Sequence, residues 1–531
     1  MRVSRFLKDL ITTGASQVGV LLFGVVLLKI MTIVLDEKNF GLFILMRRWI
    51  VVLLPIVTLN LSIGLARYVS FDRDKARFYL HISLVITTTL TALMFIFLTL
   101  FNQSFSTAFF NSPHYSNLVF LLALFLFAHT IHLITYSYFR GKMDMNRANT
   151  VRLLFTGFPV LLGGVFLILG IKNYSTILSL YFSVYAVWGV ISTVYFLKKE
   201  CSFPLFKTIF QKGVVPPTDC DVSSKNNISE GINKNKLAFN FKGSRSLILF
   251  SLVRIPALFF VSLIFSFPVF IASHKISVTA AGYMGIVVAV LHLLGLFCMP
   301  FNLIFLPKFS SLIKNKQLEN IKNYSLVILD FIFTFLPILV VMLFGLTRYI
   351  VLIWFGTKYL ITVNSVAVAI LASVFYLAYA LIRGVLDGLF EFPFINFINL
   401  AGFLTVVVLS LLMGTGIFEL SAALCCGLFI LGTSAIFILV KKLQLSIPWV
   451  KGIIALAGCG LIFLLLTAAD NMLTGLNLNT WYTFALCTFY RVFLFALVWW
   501  FYWRKTLWYD AIIKRINIKE PLKQGVMVYE D

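Results

Sequence analysis

Fourteen stretches of roughly twenty mostly apolar residues, each bounded by polar or turn-forming residues, leave this 531-residue chain little conformational choice. A helix rises about 1.5 Å per residue, so about twenty residues cross the ~30 Å hydrocarbon core of a bilayer. The runs lie near 15–35, 41–63, 79–101, 117–138, 152–170, 175–197, 248–272, 281–305, 324–344, 364–382, 394–413, 418–440, 451–469 and 481–503. In lipid every backbone N–H and C=O must be paired within the protein, so segments this long and apolar fold as helices. A mean hydropathy of +0.97 and 56 phenylalanines lie outside the soluble globular range. The expected fold is an all-α polytopic membrane protein of about 14 transmembrane helices.

Charge fixes the orientation expected of them. With both termini in the cytoplasm, the loops on that side hold 34 of the 44 Lys and Arg residues, against five on the other: Lys38, Lys172, Lys275, Arg348 and Lys358. An excess of cations in cytoplasmic loops is what anchors a multi-pass protein. The net charge of +24 sits in these short loops rather than on a solvated face, which excludes nucleic acid as a partner. The seven cysteines have no CxxC spacing, so neither a disulfide frame nor a metal site is expected. The first apolar run is long enough to span and leads into a second span rather than a cleavage site, so it is expected to stay.

Residues from about Gln211 to Lys242 are rich in Pro, Ser, Asn and Lys and read as a cytoplasmic linker between six spans and eight. Similar motifs recur on either side of it. Gly41-Leu42-Phe43 opens the second span and Gly282-Tyr283-Met284 the eighth; Arg140-Gly141 with Asp144 closes the fourth, and Arg383-Gly384 with Asp387 the tenth. An even number of spans per repeat makes the two halves parallel. The expected layout is an N-terminal six-helix bundle over 1–197, a linker loop over 198–247, a pseudo-symmetric bundle over 248–440, and two additional helices with a tail over 441–531. The bundles would face a central cavity.

Five cations remain inside spans: Lys29, Arg47, Arg48, Arg254 and Arg491. A charge at mid-bilayer costs about 2.5–3.5 kcal/mol on insertion scales, so such residues normally face a wet interior. Against them stands essentially one intramembrane carboxylate, Asp330, an imbalance that favours an anionic substrate. Asp330 is expected either in a structural ion pair or in proton coupling. His129 and His132, three residues apart on one helix face, are secondary candidates for coupling, as is Arg491, with hydrogen-bonded packing as the alternative. No nucleophile with its base, paired carboxylates or metal cluster is seen, so no enzyme and no cofactor is expected.

Several motifs resemble a known family. They are Asp36-Glu37-Lys38-Asn39-Phe40-Gly41, Leu65-Ala66-Arg67-Tyr68, Phe139-Arg140-Gly141 with Asn149, Ala281-Gly282-Tyr283, Leu306-Pro307-Lys308-Phe309-Ser310 and Trp354-Phe355-Gly356-Thr357-Lys358-Tyr359. In order and spacing, from about Leu10 to Lys505, they resemble polysaccharide flippases, O-antigen type, of the multidrug/oligosaccharidyl-lipid/polysaccharide exporter superfamily. The linker is longer than the family pattern. The resemblance implies a bacterial inner-membrane transporter that moves an undecaprenyl-pyrophosphate-linked oligosaccharide, such as a lipopolysaccharide O-antigen unit, to the outer leaflet by alternating access. It also implies a polysaccharide polymerase and glycosyltransferases as partners.

A pyrophosphate head group suits guanidinium groups, whose planar fork gives paired charge-assisted hydrogen bonds. Lys29, Arg47, Arg48 and Arg254 are therefore the expected substrate-binding residues. Lys29 lies six residues before Leu35 and Arg47 six after Gly41, which predicts matching depths. Arg48 is turned about 100° from Arg47, so only one of the two is expected to face the cavity. Two rivals are weighed: a multidrug or cation antiporter of the same superfamily, which would place carboxylates in the cavity, and a membrane glycan polymerase or ligase, which needs a longer outer loop than Asn102–Ser116.

Overall fold

The computed structural model describes residues 3–170, 174–198, 241–296, 298, 309, 312, 316–390, 394–414, 416–475, 480–506 and 508. Fourteen helices are long and apolar enough to cross a membrane, and no strand occurs among the described residues. In order they are spans 1 (Gly14–Val34), 2 (Glu37–Thr58), 3 (Ala76–Leu100), 4 (Pro113–Gly141), 5 (Met145–Leu169), 6 (Ser175–Lys198) and 7 (Arg245–Lys275). Then come spans 8 (Val278–Gly295), 9 (Leu318–Phe344), 10 (Thr357–Asp387), 11 (Phe394–Leu412), 12 (Ile417–Leu443), 13 (Val450–Ala469) and 14 (Tyr482–Trp500). The protein is a multi-pass membrane protein. Most of the proposed linker, 199–240, lies outside the described residues, as do Cys201, Cys220, the Leu306–Lys308 part of the motif after span 8, and the tail beyond 508.

The packing repeats. Span 1 lies against span 5, span 2 against span 4, span 3 against span 4, span 4 against span 6 and span 5 against span 6. Six spans later the same five pairings recur: 7 with 11, 8 with 10, 9 with 10, 10 with 12 and 11 with 12. Spans 1–6 thus form one unit and spans 7–12 a second of the same plan. Span 2 joins them, packing across the seam on spans 7 and 8. Spans 13 and 14 sit outside this plan: span 13 packs on span 9, and span 14 on span 13. A separate apolar cluster of Ile338, Met342, Cys459, Ile462, Leu466, Trp503 and Trp508 holds them there.

Two spans at the seam are interrupted. Span 2 ends at Thr58, Leu59 and Asn60 take the left-handed conformation (φ 46° and 57°), and a short helix Leu61–Phe71 continues the chain. A left-handed leucine costs conformational energy and so marks a fixed break. In span 7 the helix Phe241–Leu252 stops two residues before Ile255–Lys275 begins. Pro256 accounts for this, since it lacks an N–H and its ring clashes with the carbonyl four residues earlier.

Candidate functional site

The rim bearing the basic loops is called here the basic rim, and the opposite end of the spans the far rim. At the far rim Asp36 caps span 2, its Oδ1 accepting from the Asn39 N–H at 2.9 Å, so the helix begins at Glu37. The Tyr283 hydroxyl of span 8 donates to Glu37 Oε2 at 2.5 Å, and the Tyr359 ring packs on Phe40 with centroids 5.5 Å apart. The two units touch backbone to backbone here. A Cβ on Gly41 would overlap the Val278 carbonyl, and one on Gly285 would overlap the Ile44 side chain. Span 1 reaches the second unit as well: the Trp354 indole N–H donates to the Val25 carbonyl at 2.8 Å, and Lys29 Nζ to the Ile353 carbonyl at 2.9 Å.

Deeper along span 2 are Arg47 and Arg48. Arg47 is exposed although residues of three other spans surround it: His129 of span 4, Tyr181 and Tyr185 of span 6, and His292 of span 8 all lie within its electrostatic reach. Its guanidinium therefore lies where spans 4, 6 and 8 converge on span 2 at the seam between the units, 5.5 Å from the Phe43 ring centroid. Arg48, half-buried, turns toward the second unit, where Tyr376 and His292 feel its charge. Next to it Trp49 is stacked between Phe109 of the first unit (3.9 Å) and Phe270 of the second (4.1 Å). Among the described residues neither arginine has a carboxylate or a hydrogen-bond partner. An unpaired cation in such a place is expensive, and an anion bound between the two would offset that cost.

The breaks in spans 2 and 7 meet at the basic rim. Asn60 Nδ2 donates to the Arg254 carbonyl at 3.1 Å, while Asn396 and Asn399 of span 11 donate to the carbonyls of Val253 (2.8 Å) and Ala257 (2.7 Å). Three asparagine amides thus satisfy carbonyls around the interruption that Pro256 imposes. The short helices pack on each other so closely that a Cβ on Gly64 would overlap Ser251 Oγ. The cleft is pinched at both rims, with Arg47 and Arg48 between.

The expected site residues do not form one cluster. Arg47 and Arg48 both lie on span 2 at the seam, Arg47 near His129, Tyr181 and Tyr185 of the first unit and His292 of the second, and Arg48 near Tyr376 and His292 of the second. The matching depths of Lys29 and Arg47 are corrected. Span 1 ends at Val34 and span 2 begins at Glu37, which puts Lys29 about 8 Å and Arg47 about 15 Å from the far rim along their helices. Arg254 lies beside Asn60, thirteen residues and about 20 Å along span 2 from Arg47. His129 borders the Arg47 cleft, whereas the His132 ring stacks on Phe155 at 3.8 Å within the first unit. Asp330 is in an ion pair: Lys451 Nζ of span 13 lies 3.0 Å from Oδ1, and the Trp508 N–H donates to Oδ2 at 3.4 Å. Arg491 is buried in span 14, its Nη1 donating to the Cys487 carbonyl at 3.0 Å and its head group against Gly345. Asp330 and Arg491 both belong to the attachment of spans 13 and 14.

No family model matches the chain, and no curated protein does. Solved structures do. Lipid II flippase MurJ in an inward closed conformation superposes with a TM-score of 0.65 at 12% identity, over 93% of this chain and 99% of that one. The chain has the fold of these transporters. A variant of the Vibrio cholerae MATE transporter VcmN matches at a TM-score of 0.57 and 12% identity, covering 83% of this chain and 98% of that one. A MATE transporter in complex with MaL6 gives 0.54 at 12% identity, over 81% and 96%. The unpaired arginines lie on span 2, the helix that joins the two units.

Proposed function

We propose that this protein is a flippase for an undecaprenyl-pyrophosphate-linked oligosaccharide, an O-antigen or other surface polysaccharide repeat unit, in the bacterial inner membrane. The observation that carries the proposal is the pair Arg47 and Arg48, without carboxylate partners among the described residues, in a cleft between two units of one plan. Two guanidiniums about 100° apart on one helix can hold a pyrophosphate from two sides, each with paired charge-assisted hydrogen bonds. The basic rim is the cytoplasmic one on this reading, with both termini there, as the charge asymmetry of the loops favours. The units would be 1–197 and 248–440, joined by the 198–247 loop and followed by an appendage from 441. A polysaccharide polymerase and glycosyltransferases would act before and after it.

Alternating access then needs the far-rim contacts of Gly41, Tyr283 and Trp354 to exchange with the basic-rim contacts of Asn60 and Gly64. Lys29, held by the Ile353 carbonyl nearer the far rim, is free to meet the head group once those contacts part. The pairing of Asp330 with Lys451 neutralises a buried carboxylate of span 9, which argues against a cationic drug as substrate. Replacing Arg47 and Arg48 together with Gln is expected to abolish surface glycan while protein level and insertion stay unchanged. Glycan output at the parent level would overturn the proposal.

A further inference from the structure

A second group of cations lies at the basic rim, about 20 Å along span 2 from Arg47. The ring of Phe250, on the helix Phe241–Leu252, is approached by two guanidiniums: Arg67 of the first unit at 4.3 Å from its centroid and Arg254 of the second at 3.8 Å. The two guanidinium carbons therefore lie within about 8 Å of one another, the sum of those distances, on different units. Arg254 is only 8% exposed, yet its one side-chain hydrogen bond among the described residues runs from Nη1 to the Phe250 carbonyl, at 3.4 Å. Its remaining N–H groups, which are not fully buried, are left for solvent or a ligand. Asp387 lies within its electrostatic reach, but that carboxylate is paired with Arg383 at 3.7 Å. Arg67 is exposed and packs on the rings of Phe71 and Phe250 with no carboxylate among the described residues.

We propose that Arg67 and Arg254 form a second anion site, a clasp across the seam that a diphosphate bridges. A charge-assisted N···O contact of about 2.8 Å places a phosphorus about 4 Å from a guanidinium carbon, so two guanidiniums whose carbons are at most about 8 Å apart can both reach the phosphate oxygens of one head group beside the Phe250 ring. Two like charges on facing units repel, and an anion between them offsets that repulsion and so favours the closed contact of Leu61–Phe71 with Phe241–Leu252. The clasp is an entry station: the head group meets Arg67 and Arg254 at the basic rim before it passes to Arg47 and Arg48. This rests on the reading of the substrate head group as pyrophosphate. An anionic phospholipid offers the same phosphate chemistry, and the experiment separates the two.

The test uses the full chain in nanodiscs of zwitterionic lipid, with native cysteines replaced, spin labels at Ser70→Cys and Ser246→Cys, and inorganic pyrophosphate as probe. Pyrophosphate is expected to shorten the distance between labels. Arg67→Gln, at an exposed position, is expected to raise the concentration needed at least tenfold; Arg254→Gln does the same and Arg67→Lys falls between. Arg47→Gln/Arg48→Gln keeps the rim response. An unchanged response in Arg67→Gln overturns the clasp, as does a response lost only with Arg47 and Arg48. In the latter case the central site stands; pyrophosphate that binds nowhere removes the central reading too. If phosphatidylglycerol nanodiscs close the rim and pyrophosphate adds nothing, the clasp is held by lipid and the entry station is refuted.

Discussion

Gly41 sets how closely the two units meet at the far rim. Its Cα faces the backbone of Val278, and a Cβ there would overlap the carbonyl oxygen itself rather than the end of a flexible side chain. Gly41→Ala therefore cannot be absorbed by a rotamer change; spans 2 and 8 must part. Overpacking of this kind costs about 1–3 kcal/mol, which shifts a two-state equilibrium about 5–150-fold. The cost falls on the far-rim-closed arrangement alone, so the open population gains. Spin labels at Lys38→Cys and Ile276→Cys, both exposed on the far rim in different units, would read the change. Gly41→Ala is expected to move weight to longer distances. Gly24→Ala, where a Cβ meets nothing within 4 Å, is expected to leave the distribution unaltered. A folded Gly41→Ala protein with the parent distribution would refute the argument that this contact closes the rim.

Three further outcomes follow from the packing. Lys451→Met leaves the buried Asp330 carboxylate without its cation and is expected to cost about 3–5 kcal/mol, whereas Asp330→Asn costs less because Lys451 is 38% exposed and can reach water. Melting temperatures in detergent should rank in that order, and the reverse order would contradict the burial argument. Asn399→Ala removes the donor to the buried Ala257 carbonyl and is expected to cost about 1–3 kcal/mol, seen as earlier thermal unfolding. Trp49→Ala empties the stack between Phe109 and Phe270 at a cost of about 3–5 kcal/mol, and Trp49→Phe, which keeps a ring there, is expected to recover most of it.

The fourteen spans could be counted from the sequence because each is as long as the bilayer is thick, and lipid enforces that length. The repeat was visible for a related reason: Gly41 and Gly282 are matched glycines where spans 2 and 8, equivalent in the two units, touch at the far rim. Depth was harder. The register of Arg47 depends on where span 2 begins, and the Asp36 cap sets that at Glu37 instead of Gly41. Pro256 signals the break in span 7, but nothing in the sequence pairs it with the left-handed Leu59 and Asn60, because that contact is tertiary. Asn396 and Asn399, three apart and so on one helix face, were the overlooked polar signal. The role of Arg67 hangs on a ring from the other unit, Phe250, 183 positions later in the chain, which no local pattern reports.

The central claim is that Arg47 and Arg48 hold a pyrophosphate head group. The most direct measurement is the affinity of the purified protein for an undecaprenyl-pyrophosphate-linked sugar, in the parent and in Arg47→Gln/Arg48→Gln. Hydrogen bonds to charged groups contribute about 1.5–3 kcal/mol each, so losing one from each arginine should weaken binding at least about 100-fold. Undecaprenyl monophosphate, with one phosphate fewer, should discriminate far less between the two proteins. Equal affinity of the parent and the double variant for the pyrophosphate lipid would contradict the account.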